Sequence, residues 1–315
     1  MGEPFADAPI PGWLTEEVRA RHWRGVGPHG AQECAGFAPR DEARARYPRQ
    51  PQDIPDMAAV RAMFDGYDTG VLVADDYVGR LLALLGDLGV ADDTAIMISS
   101  DHGETLGELN VYGDHQTADQ CTTRVPLVLK WPGLGTGQRR RAFRYQIDVT
   151  ASIVELLGQR PPRSWDGVSF AKSLREGADE GRDYLVVSQG AWTCQRGVRF
   201  DDWMLISTWH DGYHLYDDLM LFDLAADPHE QENLAGVRPE VVGRGLALLS
   251  QWYAAAAPSA ARGRDPLLNV IAEGGPYHVR GALPAYLERL RATGRAEGAA
   301  RLELKHAAAL RTTAR

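Results

Sequence analysis

Thr94-Ala-Ile-Met-Ile-Ser-Ser-Asp101-His102-Gly103-Glu104 is the stretch on which the reading of this chain turns. Its small and apolar residues predict a buried strand, and the strand delivers an Asp–His pair onto a glycine turn. In open α/β sheets, ligands gather beyond the carboxyl ends of strands. A carboxylate beside a neutral imidazole suits a divalent cation of hard or borderline character. Gly103 is expected to let the backbone fold sharply behind the pair. A hard cation takes roughly six or more oxygen ligands, so these two residues look like half a site.

Working outward, Val60, Phe64, Tyr67, Val71, Ala74, Val78, Leu81 and Leu85 recur in steps of four and three. That spacing predicts one stripe of a long helix packed on a sheet. Asp56 is its expected N-cap, with Gly86 and Gly89 closing it. Downstream, a loop is expected to run to Asp119, and Arg124-Val-Pro-Leu-Val-Leu-Lys-Trp131 reads as the next strand, stopped by Pro132-Gly133. Asp148 is expected to cap a further helix that turns Val149, Ile153, Leu156 and Leu157 inward and ends at Gly158. Helix, strand, loop, strand, helix is an α/β order. Beyond Pro161-Pro162 come short candidate strands at Tyr184–Ser188, Val198–Phe200, Met204–Thr208 and Met220–Phe222. They suggest a small antiparallel sheet, followed by a helix over Pro239–Tyr253.

Residues 1–55 are rich in Pro and Gly, with Trp13, His22, Trp23 and His29 scattered among turns and one short helix expected around Leu14–Trp23. The Ala- and Arg-rich tail from Leu283 reads as one or two exposed helices. The expected organisation is therefore an irregular segment over 1–55, an α/β region over 56–160, a C-terminal subdomain over 161–282 and a helical tail over 283–315.

Composition bounds the partners. The chain has 315 residues and a formal net charge of −9, which argues against nucleic acid, since phosphate binding needs basic surface. No apolar run approaches the ~20 residues of a membrane span, and the first residues lack the basic and apolar regions of a leader. On this sequence the chain reads as cytoplasmic, unless an export signal lies upstream. Cys34, Cys121 and Cys194 are far apart and form no CxxC pair, so buried or free thiols are expected rather than a zinc knuckle or disulfide framework.

Three blocks carry a likeness. They are Ser100-Asp-His-Gly-Glu-Thr-Leu-Gly-Glu108 running on to Tyr112-Gly-Asp-His115, then Arg124-Val-Pro-Leu-Val-Leu-Lys-Trp-Pro-Gly133, and Leu221-Phe-Asp-Leu-Ala-Ala-Asp-Pro-His-Glu-Gln-Glu-Asn-Leu234. In this order, over roughly residues 56–255, the chain resembles the sulfatase family of the alkaline-phosphatase-like superfamily. The resemblance implies an α/β fold, here a partial alkaline-phosphatase-like sheet flanked by helices, followed by a small antiparallel subdomain. It also implies hydrolysis of sulfate esters by a formylglycine nucleophile, with a divalent cation clamping the sulfate oxygens. That cation is expected to be Ca2+, with Mg2+ or Mn2+ as alternatives.

Carried over residue by residue, Asp101 and His102 map onto the family's second metal-ligand pair, and His115 onto a sulfate contact or general acid. Where many members have Gly-Lys-His, this chain reads Gly113-Asp114-His115. A carboxylate near a sulfate is unfavourable at short range, so Asp114 is expected to orient His115, meet the metal or line the substrate pocket. Glu104 and Arg124 are expected to make structural hydrogen bonds or ion pairs. Glu273-Gly-Gly-Pro-Tyr-His278-Val-Arg280-Gly281 is either a linker or a lid presenting His278 and Arg280 to substrate. Asp227-Pro228 reads as a turn and helix start.

Two family elements have no counterpart. There is no Cys/Ser-x-Pro-x-Arg, since Cys34 is followed by Ala-Gly-Phe, and no early Asp-Asp metal pair. The chain therefore reads as the C-terminal part of such an enzyme, inactive alone, with a complementing N-terminal segment as an expected partner beside a small-molecule or carbohydrate sulfate ester. The alternatives are a phosphonate or phosphate ester hydrolase of the same superfamily, or a non-catalytic truncated or split-gene chain.

Overall fold

A computed structural model of the chain describes residues 3–24, 54–135, 137–260, 265–307 and 310. His29 and Cys34 lie outside the described residues, as does the end of the tail from 311. Helix α1 (Glu16–Arg24) is followed by the long α2 (Met57–Asp87). Asp56 caps α2 by accepting a hydrogen bond from the Ala59 amide at 2.9 Å. Gly89, in the left-handed region at φ 69°, follows its last turn, while Gly86 lies inside the helix.

The stripe along α2 finds a partner only at its start. Val60 is buried, with Met63, against Leu14, Ile54 and Tyr112, but of the later stripe residues Tyr67, Val71 and Leu81 are 41–62% exposed and Val78 and Leu85 only half-buried. The expectation that the whole stripe packs on a sheet is corrected: periodicity makes the helix amphipathic, and little among the described residues covers its second half.

Strand β1 (Ile96–Ser99) leads to the Asp101–His102 turn. The expected loop to Asp119 contains instead a short hairpin, β2 (Thr105–Leu106) with β3 (Tyr112–Asp114), and Asp119 caps the single-turn helix α3 (Gln120–Thr123). Strand β4 (Leu127–Lys130) is shorter than expected and pairs antiparallel with β1, Ser99 opposite Leu127. This pair forms a two-stranded sheet. Helix α4 (Gln146–Leu156) starts earlier than expected. Asp148 is its third residue rather than its cap, accepting the Tyr145 amide at 2.8 Å and Arg182 at 2.6 and 2.9 Å. Leu157, expected inside, is 65% exposed.

After α5 (Ala171–Glu176) come β5 (Tyr184–Gln189), β6 (Cys194–Phe200), β7 (Trp203–His210) and β8 (Leu219–Asp223), an antiparallel sheet in sequence order, as expected. Both of its faces are buried. Val186, Val198, Phe200, Leu205 and Leu221 pack against α6 (Pro239–Ala260). Met204, Ile206, Met220 and Phe222 pack on the other side with Tyr216 and Leu109. Helices α7 (Pro266–Ala272), α8 (Leu283–Ala292) and α9 (Ala296–Lys305) follow. The tail was expected to be exposed, yet Leu287, Leu290 and Leu302 are at most 3% exposed in a cluster with Trp192, Tyr213 and Val279. Leucine spacing in an Arg-rich segment marks one buried face, and that face meets the C-terminal sheet's loops. No helix among the described residues is long and apolar enough to cross a membrane.

Candidate active site

The site is assembled from the end of β1 and the two ends of the β2–β3 hairpin. Thr105 pairs with Asp114, so Glu104 and His115 are the next residues outward on the two strands and stand side by side. His102 arrives from β1 and stacks on His115, with ring centroids 3.7 Å apart. Ligand atoms of His102, Glu104 and His115 all lie within 4.8 Å of one another.

The two rings are oriented differently, His102 by a hydrogen bond and His115 by the carboxylates along its buried edge. His102 Nδ1 lies 2.8 Å from the Gly103 carbonyl, so it carries the proton and donates. Nε2 is left with its lone pair, 3.7 Å from Asp101 Oδ2. Asp101 itself is 87% exposed at the side chain, and the backbone amide of His102 holds its carboxyl below the usual carboxylate range. His115 presents Nδ1 inward, 3.8 Å from Glu104 Oε2 and 3.3 Å from Asp114 Oδ1. The side chain is still 39% exposed, so its exposure falls on the opposite edge of the ring. The adjacent Glu104 carboxylate outweighs burial and, with the Asp114 charge, raises the imidazole pKa above its ordinary value.

Gly103 is needed here for a reason other than the sharp turn expected of it. A Cβ on Gly103 would meet the Cys121 carbonyl oxygen at 1.9 Å, and the Gly103 amide donates to the Thr122 carbonyl at 2.8 Å. The Asp–His turn is pressed onto α3. That helix is anchored in turn, because Asp119 accepts the Thr122 amide and Glu230 accepts the Gln120 amide, both at 3.1 Å. Asp119, Cys121 and Glu230 also bring ligand atoms within 4.8 Å of one another, but these carboxylates are occupied in capping α3.

The C-terminal sheet holds the other side. Gln189 Nε2 donates to the His115 carbonyl at 2.8 Å, Thr193 Oγ1 to the Gln116 carbonyl at 2.9 Å, and Ala118 N to Gln195 Oε1 at 3.0 Å. A Cβ at Gly197 would meet the Ala118 carbonyl oxygen at 2.6 Å. Segment 115–118 thus lies directly on β6.

Asp101, His102 and His115 are brought together, and Glu104, expected to be structural, stands among them. Asp114 does not line a substrate pocket: it is 3% exposed, and its carboxylate accepts the His115 amide at 2.7 Å and Gln116 Nε2 at 2.9 Å. His278 stacks on Trp192 at 4.4 Å, and Arg280 turns back to Glu273 at 3.2 Å and the Gly275 carbonyl at 3.0 Å. Arg280 therefore braces its own turn. The mirrored placement of Glu104 and His115 about the Thr105–Asp114 segment was the signal that could have flagged Glu104. A separate cleft of about 300 Å3 is lined by Arg21, His22, Asn110, His214, Tyr216 and Glu230.

His102, Glu104 and His115, with Asp101 beside His102, offer nitrogen and oxygen donors of a kind that fits a borderline or hard divalent cation. The His102 Nε2 lone pair beside Asp101 Oδ2 is what such an ion requires.

Residues 25–159 match the sequence model of the Sulfatase family, and residues 107–241 match that described as N-sulphoglucosamine sulphohydrolase, C-terminal. The chain is 34% identical over 198 residues to the multifunctional alkaline phosphatase superfamily protein PehA of Trinickia caryophylli, covering 58% of this chain and 38% of that one. It is 30% identical over 181 residues to the choline-sulfatase of Rhizobium meliloti, covering 56% and 34%. With the N-acetylglucosamine-6-O-sulfatase of Bacteroides thetaiotaomicron, identity is 27% over 180 residues, covering 54% and 31%. The matches thus span 31–38% of the length of these curated relatives. In fold, the chain superposes with a TM-score of 0.59 on a protein solved with its substrate D-glucosamine-2-N,6-O-disulfate, at 21% identity and covering 80% of this chain and 60% of that one. The phosphonate monoester hydrolase of Silicibacter pomeroyi gives 0.60 at 21% identity, covering 85% and 53%. Motif blocks and family-model matches together relate residues 25–241 of the chain to the sulfatases, and the mixed α/β architecture agrees with that likeness.

Proposed function

We propose that this chain supplies part of the metal and acid–base apparatus of a sulfate-ester hydrolase. The observation that carries the reading is the convergence of His102, Glu104 and His115 beside Asp101 at the end of β1. Asp101 and His102 would hold a divalent cation, with Glu104 and His115 adjacent; Ca2+ remains the family expectation, and the imidazole nitrogens equally suit Mn2+. When bound, the cation supplies charge to the sulfate oxygens.

The chain's own residues do the rest. The Gly103 carbonyl fixes the His102 tautomer. Glu104 and Asp114 set negative charge along the Nδ1 edge of His115, and the opposite edge meets the ester and gives a proton to its leaving oxygen. The sequence contains no Cys/Ser-x-Pro-x-Arg, so the reaction requires a formylglycine contributed from outside these 315 residues. We take the complementing partner to be an α/β segment that also completes the ligand set. Sulfated carbohydrates are the substrate class favoured by the relatives' names.

Phosphonate and phosphate esters remain the second reading, supported by the likeness to a multifunctional superfamily member and by the absence of a lysine at position 114. Calorimetric titration with Mn2+ and Ca2+ tests the site. Binding lost in His102→Ala supports it, and binding unchanged there removes it. Hydrolysis of aryl sulfate, phosphate and phosphonate esters by a complemented chain then decides the substrate. The chain without a complement is expected to turn over none of them.

A further inference from the structure

Asp114 stands where a lysine is common, and its surroundings give that carboxylate a different task. It is buried together with Gln116 and His214, which are 3%, 0% and 5% exposed. Asp114 Oδ1 accepts the His115 amide, and Oδ2 accepts Gln116 Nε2 at 2.9 Å. The far end of the Gln116 amide, Oε1, lies 2.7 Å from His214 Nε2. A carboxylate only accepts, so the amide of Gln116 must point its nitrogen at Asp114 and its oxygen at His214. That in turn requires His214 to carry its proton on Nε2. The direction of each hydrogen bond is therefore determined by chemistry: His214 donates to Gln116 and Gln116 donates to Asp114, whose Oδ1, held by the His115 amide, places its charge 3.3 Å from the His115 ring Nδ1.

We propose that Asp114, Gln116 and His214 are positioning residues, a buried directional relay that sets the orientation of the His115 ring from the C-terminal subdomain. The assignment of a purpose to that orientation rests on the function proposed above. The relay turns the Asp114 charge inward, away from where a sulfate would sit. It also makes the geometry of His115 depend on residue 214, which is 98 positions from Gln116. His214 stacks on Tyr216 at 4.8 Å, and the Tyr216 hydroxyl donates to the Leu109 carbonyl. The outer end of the relay is thus fixed to the turn of the same hairpin that carries Asp114.

The test is long-range 1H–15N correlation spectroscopy on the full chain, histidine-labelled and free of metal, at one pH. Ring signals are assigned by loss in His115→Gln and His214→Phe. The relay predicts the Nε2–H tautomer for His214. It also predicts that Gln116→Met and His214→Phe both shift the His115 ring signals, while Leu221→Ala, a truncation of an equally buried residue outside the relay, does not. His214 protonated on Nδ1 overturns the proposal, as do His115 signals unmoved in a folded Gln116→Met chain or moved equally in Leu221→Ala. If Gln116→Met does not fold, the wild-type tautomer and His214→Phe decide. Metal titration is a separate measurement on the unsubstituted chain, so failure of the proposed cation site leaves the relay result standing.

Discussion

Gly103 and His210 each concentrate a physical demand on one residue. A methyl group at 103 would lie 1.9 Å from a backbone oxygen, which cannot move without lifting the Asp–His turn off α3. Gly103→Ala is expected to lower stability by about 1–3 kcal/mol, the usual range for overpacking, and to weaken Mn2+ binding at the same time. Urea melts and calorimetry on one sample check both. His210 Nδ1 accepts the Gly212 amide at 3.1 Å, and burial depresses its pKa to about 4; burial likewise takes His214 to about 3. In the unfolded chain both titrate near 6.5. The unfolded state therefore binds more protons as pH falls below that value, and the stability these residues contribute is present above pH ~6.5 and lost on acidification toward their folded values. The slope is up to about 1.4 kcal/mol per pH unit for each histidine. Asp114 and Glu230, raised by burial, act with the opposite sign. Melting temperatures of the chain and of His210→Asn across pH 4–7 separate these contributions, with His210→Asn expected to show the flatter profile.

Among elements, α9 is held by charge as well as by its leucines. Asp211, 1% exposed at the turn after β7, accepts His306 Nε2 at 2.9 Å and forms an ion pair with Lys305, whose Nζ lies 2.7 Å from Oδ2. Burial works to raise the Asp211 pKa, but the hydrogen bond and charge of His306, together with Lys305, hold it well below the usual carboxylate range. Truncating one partner of such a buried cluster leaves the others uncompensated, at a cost of about 3–5 kcal/mol. Asp211→Ala is expected to speed amide hydrogen exchange in α9 far more than in α2, and equal acceleration in both would count against this clamp. The hairpin between β2 and β3 shows how an element's register decides chemistry. Thr105 opposite Asp114 makes neighbours of Glu104 and His115, and a slip by one residue would turn one of them to the other face.

At the scale of the whole molecule, the two halves are covered unequally. The C-terminal sheet is buried on both faces, whereas β1 and β4 form a two-stranded sheet with Met97 50% and Val128 58% exposed. These residues and the uncovered half of α2 are exposed apolar surface of the kind that drives association, and the outer edges of β1 and β4 are unpaired among the described residues. The isolated chain is expected to self-associate and to bind a hydrophobic dye. Leu81→Glu, at a 62% exposed position, is expected to reduce both while changing stability by less than about 0.5 kcal/mol. Light scattering and dye fluorescence measure this, and a monodisperse, dye-silent wild type would refute it.

The features legible in the sequence were those that depend on near neighbours. A β-rich run ending in Asp101-His102, the 3.6-residue period of α2 with its Asp56 cap, and the alternating strands after residue 180 follow from local sterics and burial preference. So does the family likeness, which rests on short contiguous blocks. What lay beyond reach was which faces meet. Periodicity shows that a helix has an apolar side without showing whether anything covers it; the whole stripe of α2 was expected to be packed and the tail exposed, whereas α2 is packed only at its start and the tail helices bury a face. The closeness of Glu104 and His115 depends on strand register, and Gly103 is required because α3 lies against it. Gln116 and His214 meet only because the C-terminal sheet brings distant segments together. The sequence by itself determined the kinds of chemistry the chain carries; tertiary structure alone decided which groups stand within a few ångströms, because contact is a property of packed surfaces and not of spacing along the chain.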